Sequence, residues 1–270
     1  PGPGMTDAAA ALWQIGRTWE DRRRVWLRDL VRLAGVPEEE GDGGKPAYWR
    51  APRRRLYPEI GAAFVHIPRT AGHSISDILY AAAVARSMPA DWAALEPQVA
   101  HLYMHAKAAE MRDAIGEQAW TSLFTFTVIR NPWDHMLSVY RYLTRIVASG
   151  SPQDIPHAAA IRRLGGFAGF LESDYARRNL TVVPGSVRDW FMEGDRVLVD
   201  RVVRLEDLPE EWPGLLQRIG LDPATPLRHS PSSGSGAGRT EAYDARAREL
   251  VRERFRDIIE TYDYRFEGAP

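Results

Sequence analysis

Two stretches of the chain place arginine, hydroxyl and glycine residues directly after an apolar run. The first is FVHIPRTAGHS (64–74), in which Arg69, Thr70, Ala71, Gly72, His73 and Ser74 follow a break at Pro68. The second is TVIRNPWDHMLSVY (127–140), in which Arg130 ends the run and Ser138 lies about two helical turns further on. The chemistry that suits these residue types is anion binding. Arginine carries a permanent charge and a planar donor fork. The start of a helix adds unpaired N–H groups and the positive end of its dipole. Gly72 permits a close backbone approach, and Thr70 and Ser74 offer hydroxyls, so the first turn has the parts of a phosphate cradle. Two such turns in one sheet suit a ligand with two separated phosphate groups. Taken singly, each stretch also fits an ordinary capped helix with a solvated arginine. Neither is the G-x-x-x-x-G-K-[ST] loop of the Walker type, which argues against an ATPase or GTPase.

The elements that must position these residues follow from periodicity. AAFVHI (62–67) predicts a strand apolar enough for the interior of a parallel sheet, and SISDILYAAAVARS predicts the helix after it. SLFTFTVI (122–129) and WDHMLSVYRYLTRIV (133–147) repeat that order, with Asn131 as a natural N-cap and Pro132 at the first helical position. DRVLVDRVVRL (195–205) supplies a third strand region, and EEWPGLLQRIG a helix. The fold class expected is therefore α/β, a parallel central sheet flanked by helices. Turns between a parallel strand and the next helix lie at the carboxyl edge, where open α/β sheets bind ligands.

Towards the N-terminus, TWEDRRRVWLRDLVRLAG predicts an amphipathic helix and GVPEEEGDGGKP a linker. The arginines at 53–55 read as a solvated charge run. HSPSSGSGAG (229–238) is a Gly/Ser-rich loop that contains Ser230 and lies between Arg228 and Arg239. TEAYDARARELVRERFRDIIETY predicts one long closing helix that buries Tyr243, Leu250, Val251, Phe255, Ile258 and Ile259. PGPG (1–4) reads as an expression scar, 5–58 as a helical extension with its linker, and 59–268 as the main domain.

Composition narrows the function classes. A formal net charge of −1 speaks against a globally basic nucleic-acid binder. The absence of cysteine excludes disulfides, thiolate catalysis and cysteine-based zinc sites. No apolar run approaches the roughly 20 residues of a membrane helix, and the first residues lack a signal-peptide pattern, so a cytoplasmic protein without a membrane partner is expected. Lys45 and Lys107 are the only lysines, and every other basic side chain except histidine is arginine.

The two turn motifs together resemble those of the PAPS-dependent sulfotransferases, the carbohydrate and bacterial varieties in particular. FVHIPRTAGHS is similar to their 5′-phosphosulfate loop, and IRNPWDHMLSVY to their 3′-phosphate motif. Further similarity runs through SVRDWFMEGDRVLVDRVVRLEDL and RARELVRERFRDIIETYDYRF, so the likeness covers 60–266. It implies a P-loop-like sulfotransferase fold over 59–268 and a sulfonate transfer from PAPS to a hydroxyl of a small metabolite or carbohydrate, with PAP as product and no metal. It implies that Arg69, Thr70, Ala71, Gly72, His73 and Ser74 hold the 5′-phosphosulfate, that Arg130 and Ser138 bind the 3′-phosphate, and that Arg69 stabilises the leaving group. The family has Lys where this chain has Arg69, and Thr where it has His73. HAKAAEMRDAIG (105–116) resembles a family segment whose leading histidine is associated with deprotonating the acceptor. That makes His105 the candidate base, with His101 its local competitor, and Lys107 stands where the family has Ser or Thr. Trp190 resembles the tryptophan of the family's acceptor-side segment. A small-molecule kinase and a PAP-binding interaction protein without turnover are the two alternatives.

Overall fold

β-Branched and aromatic residues run together over FTFTVI (124–129), the strand with the clearest local cause. The computed structural model describes residues 55–93, 95, 102, 105–149, 164–173, 176–177, 179–180, 183–184, 186–227 and 238–266. The expected N-terminal helix, His101, Arg228, Ser230 and most of the Gly/Ser loop lie outside them. Strands β1 (Leu56–Tyr57), β2 (Ala62–Val65), β3 (Phe124–Ile129) and β4 (Arg201–Arg204) form one sheet in that order. β2, β3 and β4 run parallel, with Phe64 opposite Phe126 and Val128 opposite Val203. β1 adds an antiparallel edge through a turn at Gly61, whose φ is 64°. The class is α/β, as expected, with a small parallel sheet flanked by helices. The sheet also takes in Leu56 and Tyr57, which the sequence reading assigned to the N-terminal extension.

Alternation along the strands sorts their side chains onto two faces. Ala62, Phe64, Phe126, Val128 and Val203 meet Ile75 and Leu79 of α1 (Gly72–Val84) and Trp212 and Leu215 of a later helix (Leu208–Arg218). Ala63, Val65 and Ile129 face the opposite cluster. It contains Met111 of α2 (Ala108–Ile115), and Trp133, Met136 and Leu137 of α3 (Pro132–Ser149). The helix at Leu208–Arg218 is α4. Two threonines buried on the second face are satisfied: Thr127 donates to the Val65 carbonyl at 2.8 Å, and Thr125 to the Asp200 carboxylate at 2.8 Å.

Two expectations are corrected. The closing helix is three: α5 (Arg239–Ala242), α6 (Ala245–Arg254) and α7 (Arg256–Thr261). Asp244 ends the run because its carboxylate accepts from the Ala247 N–H at 2.7 Å, a cap that competes with continued helix. Tyr243, Val251, Phe255 and Ile258 are buried as expected, whereas Leu250 and Ile259 are half-buried. Arg55 is not solvated: it is buried and donates to Ser76 Oγ on α1 at 2.7 Å. Among the described residues no helix is long and apolar enough to cross a membrane, and no three ligand-type side chains group to hold a metal ion.

The start of α3 is fastened to α5 by a buried ion pair. Arg239 Nη1 lies 3.1 Å from Asp134 Oδ2, and both side chains are nearly inaccessible. Tyr243 Oη–H donates to the Trp133 carbonyl at 2.8 Å beside them. Removing one partner strands the other charge in an apolar setting. Arg239→Met is therefore expected to lower stability by about 3–5 kcal/mol in urea unfolding; a loss below about 1 kcal/mol would contradict the buried pairing.

Candidate anion-binding site

The chain leaves β2 through His66 and Ile67 into the turn at Pro68–Ala71. Arg69 (φ 70°) and Ala71 (φ 62°) are both left-handed, a conformation that costs a residue with a Cβ of order 1–3 kcal/mol. What holds the turn there is a set of side-chain bonds to its carbonyls. The His66 carbonyl contacts His105 Nδ1 at 2.9 Å, and the Ile67 carbonyl accepts from Thr70 Oγ1 at 2.8 Å. The Pro68 carbonyl contacts His135 Nε2 at 2.8 Å, and the Arg69 carbonyl accepts from Arg130 Nη1 at 3.4 Å. Four consecutive carbonyls are thus engaged within the protein, and the turn does not present these negative dipole ends to an anion. Directly after it, α1 begins with Ala71 as N-cap and no side-chain cap. An alanine N-cap offers its first N–H groups no side-chain oxygen, a condition that suits an anion-binding helix start.

A carbonyl can only accept, so each histidine bond fixes a tautomer. His135 carries its proton on Nε2. It is fully buried, and its Nδ1 has no hydrogen-bond partner among the described residues. Burial, with the Arg130 and Arg69 guanidiniums, pushes its pKa down to about 3, so the ring is neutral near pH 7. His105 carries its proton on Nδ1, which leaves the lone pair of the neutral ring on Nε2. It is half-buried at the mouth of the same turn.

The second motif is built around Asn131. Its Oδ1 accepts from the Trp133 N–H at 3.2 Å, which is the N-cap expected for α3. The Asn131 N–H donates to Glu206 Oε1 at 2.9 Å, and Tyr264 Oη–H donates to Glu206 Oε2 at 3.3 Å. Glu206 follows β4, so all three parallel strands contribute their carboxyl ends to one region. Burial raises the Glu206 pKa, opposed by the Asn131 N–H. Burial lowers that of Arg130, opposed by the Asp134 and Glu206 carboxylates. Arg130 Nε is buried without a hydrogen-bond partner among the described residues.

Arg69 and Arg130, predicted separately, meet here, with Arg130 reaching the Arg69 backbone. Ser138 also reaches the site, although not where its spacing suggested: its Oγ accepts from Arg69 Nε at 3.3 Å. One turn on, the Tyr142 ring lies under the Arg69 guanidinium at 4.8 Å. Thr70 is fully buried with its hydroxyl committed to the turn, and Ser74 is half-buried in the first turn of α1. Gly72 does allow a close approach, and the group that uses it is His66. A Cβ there would fall 1.7 Å from the His66 ring. His66 stacks on Phe64 at 5.8 Å, with His73 at 5.5 Å and His105 at 4.5 Å from it.

On the His105 side, Lys107 begins α2. An ammonium cannot accept from the helix N–H groups, and Glu110 supplies the reciprocal half of the cap by accepting from the Lys107 N–H at 2.8 Å. The Lys107 ammonium lies 5.6 Å from the Trp190 ring centre; Trp190 is fully buried, its Nε1 unpartnered among the described residues. Arg239 is spent on Asp134.

Sequence reasoning missed His135, Tyr142 and Glu206. The first two had a signal, because 131, 135, 138 and 142 fall on one face of a helix. Glu206 had none, since only the pairing of β3 with β4 brings it to Asn131. No family model, curated protein or solved structure matches the chain.

The His135 assignment has a pH signature. An unfolded chain protonates this imidazole below about 6.5, while the folded protein does not until about 3. Stability is therefore lost as pH falls from 6.5, by up to about 1.4 kcal/mol per pH unit. His135→Gln keeps an N–H for Pro68 and removes the titration. Urea unfolding between pH 6.5 and 5 is expected to fall more steeply for the wild type than for the variant, and parallel curves would contradict a buried neutral ring.

Proposed function

We propose that this protein is a PAPS-dependent sulfotransferase with a P-loop-like sulfotransferase fold, transferring sulfonate to a hydroxyl of a small metabolite or carbohydrate. The observation that carries this reading is the meeting of the two motif arginines at neighbouring strand ends, joined by Arg130 Nη1 to the Arg69 carbonyl and by Arg69 Nε to Ser138. The nucleotide has two separated phosphate groups, and two permanent cations beside an uncapped helix start suit such a ligand. Arg130 Nε, buried and lacking an acceptor among the described residues, fits the anionic group as well.

The donor supplies an electrophilic sulfur: the acceptor oxygen bonds to it, the bond from sulfur to the phosphate oxygen breaks, and PAP leaves. In this reading the Arg69 guanidinium faces the phosphate on which charge grows, and a fixed cation there lowers the barrier. The leaving phosphate needs no proton near pH 7, so an arginine that cannot give one up serves. His105 takes the acceptor proton at Nε2, with Nδ1–H held by the His66 carbonyl, an arrangement that keeps the ring oriented and the basic nitrogen defined.

Calorimetric titration with PAP, with Mg-ATP as control, tests the reading. Saturable PAP binding that Mg-ATP does not match is expected, weakened about tenfold or more by Arg69→Ala and by Arg130→Ala. No PAP binding, or a preference for Mg-ATP, would overturn it and favour a kinase or a generic anion site. With a working acceptor, His105→Ala is expected to lose turnover while keeping PAP affinity, and full activity in that variant would remove His105 from the mechanism.

A further inference from the structure

Within the sulfotransferase reading, on which this inference rests, the contacts of Arg69 single out a residue that belongs to neither motif. Tyr142 lies on α3 one turn beyond Ser138, on the face turned to Arg69. The two side chains hold the guanidinium in complementary ways. Ser138 Oγ receives the Nε–H at 3.3 Å, and the Tyr142 ring lies 4.8 Å from the central carbon. The left-handed φ of 70° at Arg69 adds a backbone constraint upstream of both. Two side-chain contacts therefore act on one cationic side chain, from a backbone that the turn already fixes.

We propose that Tyr142 is a positioning residue that sets the plane of the Arg69 guanidinium towards the phosphosulfate, and that this makes the arginine here not interchangeable with lysine. The reason lies in the shape of the two cations. An ammonium has no flat face for the ring and no N–H part-way along its stem for Ser138. A lysine in place of Arg69 would keep the charge and its attraction to the ring, but lose the Ser138 bond and the flat stacking that fixes an orientation. The arginine of this chain is thus coupled to the residue at 142: a fork oriented by a ring and a hydroxyl does the work that a point charge would do without them. Tyr142 acts through Arg69, and its phenol oxygen has no part in the inference.

The test is a double-mutant cycle read as PAP affinity by calorimetry, using Tyr142→Leu, Tyr142→Phe, Arg69→Lys (R69K) and the combination of R69K with Tyr142→Leu, with melting curves for each. Tyr142→Leu is expected to weaken PAP binding by about 3- to 30-fold, the range of a cation–π contact. Tyr142→Phe is expected to stay within about twofold of wild type, because it keeps the ring face. R69K alone is expected to bind about tenfold more weakly, and adding Tyr142→Leu to it is expected to cost clearly less than the same change costs beside arginine. Wild-type affinity in Tyr142→Leu, or the same loss whether residue 69 is Arg or Lys, would overturn the proposal by making Tyr142 irrelevant or merely structural. R69K binding as well as wild type would overturn it even if Tyr142→Leu failed to fold. Absence of PAP binding in the wild type would overturn the sulfotransferase reading and this inference together, whereas binding with no Tyr142 dependence would remove only the inference.

Discussion

Four successive carbonyls, from His66 to Arg69, each meet a side chain from elsewhere in the turn or the fold, and the candidate site depends on that constraint. Without it, a turn with two left-handed residues that are not glycine would relax. The restraining groups come from three places: Thr70 within the turn, Arg130 and His135 from the second motif, and His105 from the segment before α2. The two motifs are therefore one mechanical unit. The bond from His135 to Pro68 is its buried centre, fully removed from water and donated by a neutral ring.

Neutrality there is a consequence of what surrounds it. Arg69 and Arg130 are brought together in partly buried surroundings, where like charges interact more strongly than in water. A third cation near them would add to the repulsion, and both guanidiniums act to keep His135 unprotonated. Asp134 and Glu206 supply the opposing sign near Arg130. Each is itself restrained, Asp134 by Arg239 and Glu206 by Asn131 and Tyr264. The electrostatics of the site thus reach back into the ion pair that fixes the start of α3, linking the stability of that helix to the placement of its N-terminal charges.

Much of this was legible in the sequence because it is local. β2, β3, α1 and α3 follow from apolar periodicity broken by Pro68 and Pro132, and the N-cap role of Asn131 follows from its residue type. Arg69 and Arg130 announced themselves as cations at strand tips. What could not be read was which partner each side chain would choose. Gly72 looks the same whether a phosphate or an imidazole fills the space beside it, and in this fold the imidazole of His66 does. Ser138 has the spacing to serve Arg130, and only the path of the turn gives it to Arg69. Asp244 is an ordinary polar residue until its carboxylate caps α6 and divides the closing helix. Arg55 read as one of three solvated arginines, and burial against Ser76 is a tertiary choice that charge patterning does not encode.

The central functional claim is that the two turns grip one ligand at two anionic points, and it can be tested without knowing the acceptor. The direct measurement is the affinity of the wild type for PAP beside 5′-AMP and 3′-AMP, which each carry only one of the two phosphates. Shared grip requires that each single-phosphate nucleotide bind at least about tenfold more weakly than PAP, a difference of about 1.4 kcal/mol. It also requires that Arg130→Ala cost PAP far more than it costs 5′-AMP. Equal affinities for the three nucleotides, or an Arg130 effect that does not depend on the 3′-phosphate, would contradict the claim.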